Sequence, residues 1–225
     1  MGSYKTQRQK LKGFCKAKSE PRKKSKLFSN QYNIHEDDIC IGIIGRLTPI
    51  KNHDLFLEII SKVLKITSKS LKVFIIGDGE LMDSLKIKTQ LIENEIGKEV
   101  FIFTSWIKDI DIPLARLDVV ALTSHNEGTP VSLIEAQAAN VPVISTNVGG
   151  VKDILDENKT GFVIDGFCSE YFSEKMLELI ENENKRFIMS QNGWSFVKDK
   201  FHYTTLCNNV DKLYKDLLLK YENEN

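Results

Sequence analysis

Residues 39–66, ICIGIIGRLTPIKNHDLFLEIISKVLKI, run from a short apolar segment through a polar loop into an amphipathic segment. The apolar run at 39–44 hardly alternates with polar residues, which is typical of a strand buried on both faces of a parallel sheet. Apolar side chains then recur at helical spacing over 53–66. The stretch therefore predicts a strand followed closely by a helix, the first half of a right-handed βαβ unit.

The same alternation continues to about residue 164. Further apolar runs predict strands at 71–76, 100–103, 118–123, 141–146 and 160–164. Helical patterns lie between the runs, at about 53–66, 80–96, 131–140 and 150–156. After Gly166 only helical patterns remain, at about 169–182, 184–199 and 204–221. Together they predict an α/β fold: a doubly wound, Rossmann-like parallel sheet with C-terminal helices.

Composition limits the classes to which the protein can belong. The 225 residues include 31 basic and 31 acidic side chains, and the resulting net charge of zero excludes a wholesale polyanion binder. The four cysteines form no CxxC pair, so we expect free thiols in a reducing compartment. No apolar run is long enough to cross a bilayer, and the N-terminus lacks the apolar stretch of a secretory signal. The sequence therefore predicts a cytoplasmic protein.

Charge is distributed unevenly along the chain. Residues 1–30 hold ten Lys or Arg and one acid, whereas the remainder holds 21 basic and 30 acidic residues. We predict a basic tail or linker at 1–30, a Rossmann-like domain at 31–182 and a C-terminal helical extension at 183–225. The tail has too few apolar residues to fold alone, and we interpret it as a solvated connector or a piece of a neighbouring domain. The alternative is peripheral contact with an anionic membrane surface, and no nucleic-acid partner is expected.

Ligands of such sheets bind where the C-terminal ends of strands meet helix N-termini, so the loops after the apolar runs are candidates. After the first run, Gly45 permits close backbone approach, and Arg46 and Lys51 flank the start of a helix. Cations there oppose the helix dipole, which makes sense if an anion such as phosphate occupies the site. The alternative is a pair of solvated surface charges. Gly77 and Gly79 form a tight turn after the second run, without a dinucleotide fingerprint or a P-loop.

The loop after the fourth apolar run leads to two carboxylates. Thr129 is predicted to cap the next helix, with Pro130 as its first residue. Glu127 would then lie at the mouth of the cleft, and Glu135, eight residues later, would fall on the second turn of that helix, within the apolar segment VSLIEAQAA. A carboxylate among apolar side chains is costly unless it is paired or binds a polar ligand, such as the two hydroxyls of a ribose. The alternative is a glutamate that caps backbone or meets a lysine.

Together these residues resemble the retaining nucleotide-sugar glycosyltransferases of family 4 (group 1), which share the two-domain GT-B fold. The resemblance covers about residues 39–215 and is strongest in IGRLTPIKNHDLFLE (44–58), FIIGDGEL (74–81) and SHNEGTPVSLIEAQAANVPVISTNVGGVKDIL (124–155). Glu127 and Glu135 match the E-x7-E signature of that family. The Gly-Gly pair at 149–150, followed by Asp153, resembles its GG-x-x-E segment with Asp in place of Glu.

The resemblance implies the C-terminal, donor-binding half of an enzyme of polysaccharide biosynthesis. That enzyme would transfer a sugar, with retention, from a nucleoside-diphosphate sugar to a glycan or lipid-linked acceptor. The N-terminal acceptor domain would be absent from this chain. No cofactor and no metal are implied, because Arg46 and Lys51 would stabilise the charge on the diphosphate. A non-catalytic nucleotide-sugar-binding or regulatory fragment and an epimerase-like protein remain the alternatives.

The resemblance also implies roles for single residues. Glu135 would hold the ribose hydroxyls and Glu127 a hydroxyl of the donor sugar, with the amides of Gly128 and Thr129 facing sugar or phosphate. Gly45, Gly77 and Gly79 would line the donor site. Trp106 would frame the nucleobase, with simple packing as the alternative. Pro130 has no N–H where commoner members have a glycine, so the identity of the donor sugar stays open.

The last helical pattern carries an unpaired apolar stripe. Apolar side chains recur at helical spacing at Leu206, Val210, Leu213, Tyr214 and Leu217. We expect this stripe to promote self-association or pairing with another domain.

Overall fold

A computed structural model describes residues 21–224, so the predictions for Cys15 and for membrane contact by residues 1–20 lie outside the described residues. Six strands form one sheet: β1 (Ile39–Ile44), β2 (Leu71–Ile76), β3 (Phe101–Ser105), β4 (Val119–Leu122), β5 (Val143–Thr146) and β6 (Gly161–Ile164). Their order is β3-β2-β1-β4-β5-β6, and every neighbouring pair is parallel. The predicted doubly wound parallel sheet is confirmed.

The helices follow the predicted positions with small differences at their ends. They are α1 (Pro21–Gln31), α2 (His53–Ile66), α3 (Met82–Ile96), α4 (Asp111–Leu114), α5 (Val131–Ala138), α6 (Val151–Ile154), α7 (Ser169–Glu181), α8 (Glu183–Lys200) and α9 (Tyr203–Glu224). A single 3₁₀ turn at Pro49–Lys51 precedes α2. The sequence patterns did not predict α1, α4 or this turn. No helix within residues 21–224 is both long and apolar enough to cross a membrane.

Both faces of the sheet are covered. Successive side chains of β2 alternate between two apolar clusters: Val73 and Ile75 belong to one, Phe74 and Ile76 to the other. Helices α2 and α7 cover the first face, and α5 covers the opposite face. Helix α8 packs on α5 and contributes Met189 to the first cluster. This burial on two sides explains why the strand sequences read as continuous apolar runs.

The structure differs from the predicted tail over residues 21–30. This segment lies in helix α1, where Phe28 is 1% exposed and its ring centroid lies 5.0 Å from that of Phe74. Tyr32 completes an aromatic cluster with both rings. The tail interpretation is wrong here because one large aromatic side chain can anchor a helix whose average composition is polar.

Helix α9 presents its apolar residues to solvent. Leu206 and Tyr214 are 66% and 64% exposed, and the rest of the predicted stripe is also exposed. Helix α8 instead packs on α5, where a methyl group on Gly193 would lie 3.3 Å from Cβ of Gln137. The two helices of the predicted C-terminal extension are therefore in different environments.

Candidate functional site

Loops converge at the edge formed by the C-terminal ends of the strands. The loop after β1 contacts the loop after β2 through bare backbone: a methyl group on Gly77 would lie 1.8 Å from the carbonyl oxygen of Gly45. A methyl group on Gly79 would lie 2.5 Å from the carbonyl oxygen of Leu47. The amide of Leu47 donates to the carbonyl of Asp78 at 2.9 Å. The glycines singled out in these loops therefore allow two backbone segments to touch.

A second glycine pair has the same function beside β4. A methyl group on Gly149 would lie 1.6 Å from the carbonyl oxygen of Glu127, and its φ of +51° also favours glycine. The amide of Gly150 donates to the carbonyl of Gly128 at 2.9 Å. Only the family resemblance had drawn attention to this pair. The structure shows its physical role, which is to bring the β5 loop against the backbone of the predicted sugar-binding glutamate.

An ion pair joins the loops after β1 and β4. Lys51 Nζ lies 2.5 Å from Glu127 Oε1, and the two side chains are 23% and 10% exposed. The stem of Lys51 passes over Gly45, where a methyl group would lie 3.5 Å from Cε. Ser124 Oγ donates to the same carboxylate oxygen at 2.7 Å. Two residues that the sequence placed in separate loops are thus in direct contact.

Hydroxyl groups at the ends of β4 and β5 hold these loops together. Thr123 Oγ1 donates to the carbonyl of Asn52 at 2.9 Å, and Thr146 Oγ1 donates to the carbonyl of Ser124 at 2.9 Å. All three hydroxyl-bearing residues are fully buried. Sequence reasoning missed Thr123 and Ser124. The sequence does contain a feature that points to them: two hydroxyl side chains directly follow an apolar strand and precede the loop that carries Glu127.

The other predicted site residues lie on the loops after β1, β3 and β4 and on helix α5. Arg46 is exposed on the β1 loop, and Gly128 and Thr129 are exposed on the β4 loop. Glu135 is half-buried on α5. Trp106 lies just after β3 and is 66% exposed. The residue before it, Ser105, has a φ of +54°.

The predicted cap of helix α5 is wrong. The helix begins at Val131, Pro130 occupies the N-cap position, and no side chain caps it. Pro130 has extended dihedrals there, φ −72° and ψ 95°. Because the contact between Gly128 and Gly150 already fixes the direction of the chain, the helix starts one residue later than the proline predicted.

A histidine is buried behind the central loops. His53 begins α2, is 1% exposed, and its Nδ1 has no hydrogen-bond partner among the described residues. Burial lowers the pKa of His53 to about 4, and the nearby charge of Lys51 acts in the same direction. The ring is therefore neutral at pH 7. Within residues 21–224 no cluster of three or more His, Cys, Asp or Glu side chains could hold a metal ion.

Curated relatives are similar to most of the chain. The capsular polysaccharide biosynthesis glycosyltransferase CapM of Staphylococcus aureus is 28% identical over 202 residues, which are 88% of this chain and 51% of CapM. The UDP-Gal:alpha-D-GlcNAc-diphosphoundecaprenol alpha-1,3-galactosyltransferase of Escherichia coli is 28% identical over 187 residues, 83% of this chain and 48% of that enzyme. The chain spans about half the length of these relatives.

Solved structures agree with the fold. The C-terminal domain of the group 1 glycosyl transferase LpcC from Francisella tularensis superposes with a TM-score of 0.65 at 28% identity, over 72% of this chain and 86% of that domain. HepE of Anabaena, in complex with UDP and glucose, superposes with a TM-score of 0.75 over 86% of this chain and 52% of HepE. Its 18% identity makes this a likeness of fold alone.

The family profile described as glycosyl transferases group 1 matches residues 24–195, which span most of the chain and every strand of the sheet. The contacts at the carboxyl edge of the sheet also join the residues that carried the sequence resemblance, Lys51 and Glu127. This chain therefore belongs to the glycosyl transferases group 1 family.

Proposed function

We propose that this chain is the donor-binding half of a glycosyltransferase that moves a sugar from a nucleoside-diphosphate sugar to a glycan or lipid-linked acceptor. The observation that carries the proposal is the Lys51–Glu127 ion pair, set between glycine-dependent loops at the carboxyl edge of a parallel sheet. In open α/β sheets this edge is where nucleotide ligands bind. The family and its named relatives supply the class of reaction.

Arg46 and Lys51 are proposed to bind the diphosphate. Both lie on the loop after β1, Arg46 exposed and Lys51 half-buried. When the bond between the sugar and the diphosphate breaks, negative charge grows on the leaving phosphate oxygen. Fixed cations aimed at such a charge lower the barrier, and each charge-assisted hydrogen bond is worth about 1.5 to 3 kcal/mol. Two cationic side chains offer this stabilisation without a metal ion, and we propose metal-independent transfer with no cofactor.

The carboxylates are proposed to bind the sugars of the donor. Glu127 would accept a hydrogen bond from a hydroxyl of the transferred sugar. Glu135 on α5 would accept hydrogen bonds from the hydroxyls of the ribose. Gly128 and Thr129, exposed beside Glu127, would present backbone amides to sugar or phosphate. Trp106, at the outer strand β3, would lie along the nucleobase. Retention of the anomeric configuration and assignment to family 4 follow from the sequence resemblance and are part of the proposal.

The donor half is tested by binding. Calorimetry with UDP-, GDP- and ADP-sugars should show saturable binding of at least one of them, with the same affinity in EDTA. Failure of the purified chain to bind any nucleoside-diphosphate sugar would overturn the proposal. The variant Glu135→Gln should lose affinity for the ribose-containing ligands, because a neutral amide oxygen accepts weaker hydrogen bonds from hydroxyls than a carboxylate does, and urea denaturation of the same variant measures any effect on folding.

A transfer assay tests whether this chain needs a separate acceptor half. An acceptor domain excludes water and positions the nucleophile, and this positioning is worth about 7 to 11 kcal/mol. The chain alone should therefore transfer sugar at least about 10⁴-fold more slowly than CapM. Fusion to the N-terminal half of CapM should restore transfer, and Glu127→Gln should abolish the gain. Binding without transfer in the fusion would instead favour a regulatory or nucleotide-sugar-binding fragment.

A further inference from the structure

The hydroxyl of Ser124 donates a hydrogen bond to the carboxylate of Glu127, which is the proposed ligand of the donor sugar. We infer that Ser124 is a positioning residue, which holds one oxygen of Glu127 so that the other faces the sugar. The inference rests on the proposed function and adds a residue to it. Ser124 itself is fully buried, so we propose that it acts through Glu127 rather than by direct contact with the donor.

The two oxygens of the Glu127 carboxylate have different surroundings. Oε1 accepts from Lys51 Nζ at 2.5 Å and from Ser124 Oγ at 2.7 Å. No side chain among residues 26–221, and no backbone amide in the described part of the chain, donates to Oε2. An ionised carboxylate has about four acceptor sites, so a carboxylate held at one oxygen keeps the capacity of the second. This asymmetry leaves Oε2 as the acceptor for a ligand hydroxyl.

Ser124 is itself held in place from the neighbouring strand. Its carbonyl accepts from Thr146 Oγ1 at 2.9 Å, and Thr146 is also fully buried. The backbone of Glu127 lies against Gly149, which follows the same strand. The sheet therefore fixes both ends of the segment that carries the carboxylate. A carboxylate fixed before the ligand arrives loses less side-chain entropy on binding.

Removing the Ser124 hydroxyl should weaken the binding of the donor sugar and leave the binding of the nucleotide unchanged. Without Ser124 Oγ, the Glu127 carboxylate keeps only Lys51 and can turn about its terminal torsion, which is broad for glutamate. The sugar hydroxyl must then bind a Glu127 oxygen whose orientation is not fixed before binding, which costs side-chain entropy. Ser124 is fully buried, and we assign it no contact with the diphosphate or the nucleoside. The expected signature is a change in the ratio of two affinities rather than a uniform loss.

The experiment compares UDP with UDP-glucose, UDP-galactose and UDP-N-acetylglucosamine by calorimetry. The wild type should bind one of the sugar nucleotides more tightly than UDP. Ser124→Ala should reduce that advantage by about tenfold, as expected for a hydrogen bond to a charged group, and should leave the affinity for UDP within about twofold. Ser145→Ala is the matched control, since Ser145 is equally buried and its hydroxyl donates to the carbonyl of Thr146 at 2.9 Å.

A double-mutant cycle separates positioning from a general loss of structure. In a Glu127→Gln background, Ser124→Ala should have no further effect on the ratio of affinities, because the carboxylate it positions is gone. If Ser124→Ala leaves the ratio unchanged, or lowers the affinities for UDP and UDP-sugar equally, the inference is wrong. Equal binding of UDP and all three sugars by the wild type also overturns it. Failure of the wild type to bind any UDP-, GDP- or ADP-sugar would instead reject the proposed function itself.

Discussion

The middle and the outer end of the candidate site are built in different ways. In the middle, the loops after β1 and β4 are joined by an ion pair, and buried hydroxyls at the ends of β4 and β5 hold them. At the outer end, beyond β3, Trp106 is 66% exposed and follows a serine in the left-handed region. The part proposed for phosphate and sugar is therefore formed in advance. The part proposed for the base leaves an aromatic surface that a ligand can cover.

This difference predicts how substitutions will act. A change to a buried group in the middle should affect folding as well as binding, since these groups contact one another. A change at the outer end should affect binding with little effect on folding.

The largest effect is expected from Gly149→Ala. The new methyl group would lie 1.6 Å from the carbonyl oxygen of Glu127, at a φ of +51°. Backbone must move, and overpacking together with left-handed strain should lower the free energy of unfolding by about 2 to 5 kcal/mol. Gly166→Ala is the control: its φ is +71° and no atom lies within 4 Å of the added methyl group. Equal losses in urea denaturation for the two variants would mean that the β4 and β5 loops do not pack as described.

A pH effect of about 3 kcal/mol is expected from His53 behind the same loops. Its pKa in the folded state is about 4, below the 6.5 of an exposed histidine, because burial disfavours the charged ring. Between these values the unfolded chain binds more protons, so stability present above pH 6.5 is lost as the pH falls toward 4. Urea denaturation of the wild type and of His53→Gln at pH 7 and pH 4 measures the difference. A parallel decline in both proteins would exclude His53 as the cause.

Next in size are the two proposed phosphate ligands. Arg46→Ala and Lys51→Ala should each weaken nucleoside-diphosphate binding by about 1.5 to 3 kcal/mol and leave nucleoside binding nearly unchanged. Arg46 is exposed, so its removal should not alter folding stability. Loss of Lys51 leaves Glu127, only 10% exposed, without its cation and should also destabilise the fold. Calorimetry and urea denaturation on both variants test the contrast. Equal loss for nucleoside and diphosphate would point to misfolding or a different site.

The fold could be predicted because its signals are local. Strands buried on both faces read as apolar runs, and each is followed at once by a helical pattern, as at 39–66. The ion pair could not be predicted in the same way, because Lys51 and Glu127 are 76 positions apart. Their contact depends on the pairing of β1 with β4 and on hydroxyls whose bonding partners the sequence does not specify.

The errors have equally specific causes. Helix α1 was interpreted as tail because its composition is polar, although a single side chain, Phe28, fixes it to the sheet. Thr129 was expected to cap α5 because the residue before a proline is a common N-cap, but the backbone bond from Gly150 to Gly128 sets the chain direction there. In both places a contact from a distant segment overrides the local preference.

At the outer end, Trp106→Ala should separate binding from folding. Stacking of a base on an aromatic ring is worth about 1 to 3 kcal/mol, and an edge position with one open face favours the lower part of that range. The ring is 66% exposed, so the free energy of unfolding should change by less than about 0.5 kcal/mol. Calorimetry measures the affinities of the wild type and of Trp106→Ala for uridine, adenosine and guanosine compounds. The differences give the contribution of Trp106 to binding and show which base it favours. Unchanged nucleoside affinity would show that Trp106 does not contact the nucleobase.

The smallest effect is expected one residue earlier, at Ser105. Its φ of +54° lies in the left-handed region, and its carbonyl accepts from the amide of Gly77 at 3.0 Å, so the conformation is fixed by the neighbouring loop. A non-glycine residue there costs about 1 to 2 kcal/mol, whereas glycine adds about 0.5 to 1 kcal/mol of chain entropy on folding. Ser105→Gly should therefore raise the free energy of unfolding slightly, by less than about 1 kcal/mol, and Ser105→Ala should not. Because the strained residue precedes Trp106, the added freedom should also weaken nucleoside binding if the turn aims the ring. Stabilisation with unchanged nucleoside affinity would show that the outer loop takes its direction from the ligand rather than from Ser105.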